Sequence, residues 1–144
     1  MYDTILELHS YWAYATLGIL LIAILNAFVG LSAKRPFYKK DRQISLIALT
    51  FSHIQFLLGL VLLLTNPKWD AVTDMGTLMK NSELRLIFVE HPLINLIAIT
   101  LITIGWSTHK KQMEATGKFK KIGYFYVIGL ILLLSRIPYG QWFS

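Results

Sequence analysis

Four apolar runs, each close to the thickness of a membrane, leave this chain few folds to choose from. They cover Tyr11–Leu31, Ile44–Thr65, Leu84–Trp106 and Ile122–Tyr139. A helix crosses roughly 30 Å of hydrocarbon with about 20 apolar residues, at 1.5 Å per residue. Hydrophobic residues make up 55% of the 144 positions, and mean hydropathy is +0.53, too apolar for an ordinary soluble domain. The expected fold is all-α: a single domain over 1–144, folded as a four-transmembrane-helix up-down bundle. Asp3 and Glu7 precede the first run where a cleaved signal peptide would carry positive charge, so that run reads as a span.

Charge orients the bundle. Lys34, Arg35, Lys39, Lys40 and Arg42 fill the first connection, and Lys110, Lys111, Lys118, Lys120 and Lys121 fill the third. Ten of the fourteen basic residues therefore lie on one side. The second connection balances Lys68, Lys80 and Arg85 against Asp70, Asp74 and Glu83. The positive-inside rule makes the basic side cytoplasmic and puts both termini outside, which in a bacterium means an inner-membrane protein with periplasmic termini. That bias accounts for the net charge of +6, so nucleic acid is not an expected partner. The expected partners are the lipid bilayer and other membrane proteins. The chain has no cysteine, which excludes disulfides, iron–sulfur clusters, thiolate zinc sites and cysteine nucleophiles.

Within the runs, small and polar residues recur at helical spacing. His9, Ala13, Thr16, Ala23, Ala27 and Gly30 share a stripe on the first; Ser45, Ala48, Ser52, Gln55 and Gly59 on the second; His91, Asn95, Ala98 and Gly105 on the third. Small residues let membrane helices approach closely. Packing alone does not explain a histidine at the head of two stripes. Pro92 removes a backbone donor beside His91 and predicts a kink there. Pro67, Asp70, Asp74 and Gly76 predict a loop, and Asn81–Glu90 reads as an interfacial helix leading into the third span.

Ionisable residues inside a membrane are costly and face the bundle interior, a cavity or a ligand. His9, His53, His91 and Arg136 are the candidates. At 1.5 Å per residue His9 lies near the outer surface, His91 about 5–8 Å below it and His53 on the order of 15 Å down. His109, among lysines, reads as solvated. Three chemistries suit the set. His9 and His91, on diagonal helices, can be the axial ligands of a b-type haem, with His53 as the alternative ligand and Arg136 pairing with a propionate. The difference in depth between His9 and His91 must then be closed by tilt or by the kink. Glu90, His91 and His53 can instead form a proton or quinone site. A metal ion held by His9, His53 and His91 is the third. Against these stands a purely structural role, with each imidazole bonding a neighbouring helix. No zinc-protease motif, phosphate loop or nucleophile elbow is present.

Leu8-His9-Ser10, Ser52-His53-Ile54-Gln55 with Leu58-Gly59, Glu90-His91-Pro92-Leu93, Leu101-Ile102-Thr103-Ile104-Gly105 and Ile137-Pro138 together resemble the small four-helix membrane proteins of Bacteroidota labelled "cytochrome B". The resemblance covers nearly the whole chain. It implies a haem-b electron carrier within a larger redox complex, with His9, His53 and His91 at the cofactor. That family often places an arginine just after the first histidine motif. Tyr11-Trp12-Ala13-Tyr14 has none here, and Arg136 is the candidate replacement. The rival expectations are a non-catalytic accessory subunit and a quinone- or porphyrin-active oxidoreductase.

Overall fold

The computed structural model describes residues Met1–Trp142 and is helical throughout, with no strand among the described residues. Four long helices make the bundle: α1 (Tyr2–Ala33), α2 (Lys39–Thr65), α5 (His91–His109) and α6 (Ala115–Ser135). Three short ones, α3 (Met75–Lys80), α4 (Ser82–Arg85) and α7 (Tyr139–Trp142), complete the chain. Three helical stretches, Tyr2–Ala33, Lys39–Thr65 and Ser82–His109, are long and apolar enough to cross a membrane. Leu21, Ile22, Leu25 and Val29 on α1, Leu57 and Leu64 on α2, and Leu93 and Leu96 on α5 face outward. A helix that is apolar on its exposed face needs a non-aqueous neighbour, and a bilayer supplies one. The architecture is that of a multi-pass helical membrane protein.

α6 differs from the other three long helices. Lys118, Lys120 and Lys121 occupy its first turns, which leaves an uncharged stretch, 122–135, of about 21 Å. The fourth apolar run was expected to be helical over 122–139, but the helix stops at Ser135. Pro138 disfavours helical geometry in the residue before it, so the chain turns at Arg136 and restarts as α7.

Packing runs around a ring: α1 against α2, α2 against α5, α5 against α6, α6 against α1. α1 and α5 are therefore diagonal, as expected. The buried residues are largely those of the sequence stripes: Thr16, Ala23, Ala27 and Gly30; Ser45, Ala48 and Ser52; Ala98 and Gly105. A side chain at Gly105 would bring its Cβ to 2.6 Å from Phe125 Cβ and 3.0 Å from the Lys121 carbonyl of α6. Glycine there sets how closely α5 and α6 approach. Since lipid gives helices no hydrophobic drive toward each other, such close packing and interhelical hydrogen bonds hold the bundle. Trp12 Nε1–H donates to the Phe51 carbonyl at 3.0 Å, and Tyr126 O–H to the Ser45 carbonyl at 2.8 Å.

Asp41 organises the first basic connection. It accepts from Arg35 at 2.7 and 2.8 Å, from Asn26 Nδ2 at 2.8 Å and from the Tyr38 N–H at 2.7 Å, the last capping α2. His109 corrects the sequence reading. Its ring is buried against Phe37 and Trp106, with Nδ1–H donating to the Trp106 carbonyl. Phe37, more than seventy positions earlier in the chain, folds over it. The second connection is also more regular than the loop expected. After a 3₁₀ turn over Pro67–Ala71, Asp74 caps α3 through the Thr77 N–H at 2.7 Å. Asn81 caps α4 through the N–H groups of Glu83 and Leu84. A π-helical turn over Leu86–Glu90 then joins α4 to α5. It lies immediately before Pro92 and bonds the His91 N–H to the Leu86 carbonyl, five residues back. Where a kink was expected beside Pro92, the helix carries this widened turn.

Candidate functional site

The end of the bundle opposite the lysines holds two adjoining cavities of about 150 and 250 Å³. His9 of α1, Gln55 of α2, and His91 and Asn95 of α5 line both. The smaller reaches toward α2 at Phe56, Gly59 and Leu63. The larger reaches toward α6 and α7 at Leu133, Ile137 and Trp142. Trp142 stacks on Tyr14 of α1, with centroids 4.7 Å apart.

Between the cavities the two imidazoles meet. Their centroids are 6.5 Å apart and their planes stand at 89°. The two rings thus come close together although they belong to diagonal helices. A metal ion held between two imidazoles, with bonds of about 2 Å on either side, sets the centroids on the order of 6 Å apart. The pair has that spacing.

His91 Nδ1 is 2.9 Å from the Arg136 carbonyl. A carbonyl only accepts, so Nδ1 carries the proton and Nε2 the lone pair. The Asn95 amide, one helical turn on, donates to that lone pair at 3.2 Å. Gln55 Nε2–H donates to the His9 backbone carbonyl at 3.0 Å and lies 3.5 Å from His9 Nε2. A Cβ at Gly59 would come 3.2 Å from His9 Cε1, so this glycine makes room for the ring. His9 Nδ1, Gln55 Oε1 and Asn95 Oδ1 are buried without a hydrogen-bond partner among the described residues. Buried polar atoms are nearly always paired, so these three are the groups at which water or a ligand would bond.

The other candidates lie elsewhere. His53 is exposed on α2, and its Nε2–H donates to Thr103 Oγ1 at 2.9 Å, whose own hydroxyl donates to the Ile99 carbonyl. It lines neither cavity. Glu90 does not join His91 and His53 either. Its carboxylate accepts from Arg85 Nε at 2.7 Å and forms an ion pair with Arg136, Nε to Oε1 at 3.3 Å. Arg136 thus reaches the histidine pair through its backbone carbonyl, while its half-exposed side chain stands at the rim. No group of three or more His, Cys, Asp or Glu side chains poised to hold a metal occurs among the described residues. The three imidazoles expected to share one ion are not brought together.

Gln55 and Asn95 were legible only as stripe members. Asn95 follows His91 by four, the spacing that stacks two side chains on one helix face. That relation is the signal that could have assigned it to the site. His9 and His91 are the two imidazoles that could hold the metal of a flat macrocycle, and His91 is anchored through its Nδ1–H. No protein-family model, no curated protein and no solved structure matches this chain.

Proposed function

We propose that this chain is a four-span inner-membrane protein, with periplasmic termini, that binds haem b between His9 and His91 and serves electron transfer within a larger membrane complex. The observation that carries the reading is the perpendicular imidazole pair 6.5 Å apart, contributed by diagonal helices and flanked by cavities. The resemblance to the small "cytochrome B" proteins supports it.

Haem b held by two imidazoles supplies a one-electron couple. The chain's own groups have definable tasks. The Arg136 carbonyl fixes the His91 tautomer so that Nε2 faces inward. Asn95 donates to that nitrogen at 3.2 Å and would have to release it for His91 to hold the group. Arg85 and Arg136 share Glu90, which leaves one net positive charge at the rim for a propionate. Leu6, Leu133 and Ile137 give the larger cavity apolar walls. His53, facing outward, is the alternative ligand that this geometry favours least.

The test is a dithionite-reduced minus oxidised visible spectrum of protein purified with haem supply intact. A Soret band that disappears in the His91→Ala variant is the expected result. A folded bundle with no such band, before and after added haem, overturns the reading. Orientation is tested separately. Because the chain lacks cysteine, a single cysteine replacing Lys40 should be shielded from an impermeant thiol reagent in intact cells, and one replacing Thr73 should react.

The unpaired Gln55 and Asn95 oxygens favour a second reading, a quinol whose hydroxyls donate to them. It predicts saturable quinol binding to haem-free protein, lost in Gln55→Leu.

A further inference from the structure

The two imidazoles are held unequally. The His91 ring is fixed by its Nδ1–H bond to the Arg136 carbonyl at the end of α6. That end is tied back through the Arg136 side chain to Glu90, the residue before His91. Two helices therefore hold one ring. A ligating imidazole is commonly held in this way, since a carbonyl on its second N–H fixes the tautomer and raises ligand basicity. His9 has no such support. Its Nδ1 is buried and unpaired among the described residues. The shorter Gln55 bond goes to the His9 backbone rather than the ring. On the α2 side the ring faces Gly59, which presents no side chain to brace it, and both cavities adjoin it.

We infer that His91 is the anchoring ligand and His9 the exchangeable one, so that the His9 face of the site admits a small neutral ligand of diatomic size. This inference rests on the haem reading above. A ring braced on one side only, with open space beside it, leaves its position at lower cost than a ring hydrogen-bonded to the opposite helix.

The experiment uses the full-length protein loaded with haem, read by haem titration and by visible spectra with carbon monoxide as the probe. The reduced wild-type Soret band should shift on adding carbon monoxide. His9→Ala should keep haem within about tenfold of the wild-type affinity and show a five-coordinate spectrum, returned to six-coordinate by free imidazole. His91→Ala should lose about a hundredfold or more. If His91→Ala does not fold, judged by size-exclusion and far-UV circular dichroism, His91→Gln, close to it in size, takes its place. Equal losses at the two positions, a larger loss at His9, or a bound haem indifferent to carbon monoxide overturns the inference and leaves the haem reading standing. Wild-type protein with no Soret band at all removes both, and is a distinct result.

Discussion

The two ends of this bundle treat buried polar groups in opposite ways. At the lysine end Asp41 is buried and receives hydrogen bonds from Arg35, Asn26 and the Tyr38 backbone. His109 is buried with its Nδ1–H bonded and its ring between aromatic neighbours. At the histidine end three side-chain atoms from three helices are buried beside the cavities without a hydrogen-bond partner among the described residues. One sequence has done both. The unmet groups are therefore a property of that place, not of a loosely made fold. An unpaired buried group costs about 1–3 kcal/mol, so these three groups call for partners that the chain itself does not supply.

The contrast can be attacked from the lysine end first. Asp41→Ala strands Arg35 and the Asn26 amide and removes the cap of α2. It should cost about 3 kcal/mol, seen as an early transition in thermal or denaturant unfolding of detergent-solubilised protein. A cost under about 1 kcal/mol would mean that this end is no better satisfied than the other. Next comes a pair of identical substitutions. Gly105→Ala presses on Phe125 and the α6 backbone and should cost about 2 kcal/mol. Gly59→Ala meets only the edge of the His9 ring and gains helix propensity, so its net effect should stay within about 1 kcal/mol. Similar losses for both would erase the distinction between packed and open ends. Tyr126→Phe removes one interhelical hydrogen bond, worth about 0.6 kcal/mol by the membrane average. Gln55→Leu is the smallest in stability. It gives up the bond to the His9 carbonyl but removes an unpaired oxygen and fills space, so unfolding should move by less than about 0.5 kcal/mol in either direction. A large destabilisation there would show that Gln55 is a structural strut.

What could be read from the chain followed from period. Ala23, Ala27, Ala48, Ala98 and Gly105 fell on the predicted stripes and are buried, because helix geometry is local and small residues mark the seams. What could not be read depended on direction or on distant chain. His53 stands next to Ser52, and one residue of helix turns it about 100° away from that buried position. Its outward aim was thus implicit in the spacing, though its partner Thr103 was not. His109 sits beside lysines, and its burial depends on Phe37 folding across it from a distant part of the chain, together with Trp106. The meeting of His9 and His91 ran against the depths expected for straight helices. Pro92 signalled an irregularity beside His91, but the π-helical form of the turn before it is announced by no periodicity.

That widened turn has a consequence of its own. Leu86–Glu90 holds one residue more than the α-helical count, so the two parts of the 28-residue helix Ser82–His109 are out of phase by about 100°. Leu84 and Phe88 can pack beneath the outer connection while His91 and Asn95 aim at the bundle axis, and neither set dictates the azimuth of the other. Excising a single position from this stretch would re-mesh the two halves like gears slipped by one tooth. The imidazole would then swing off the axis although every residue that touches the cavity had been kept.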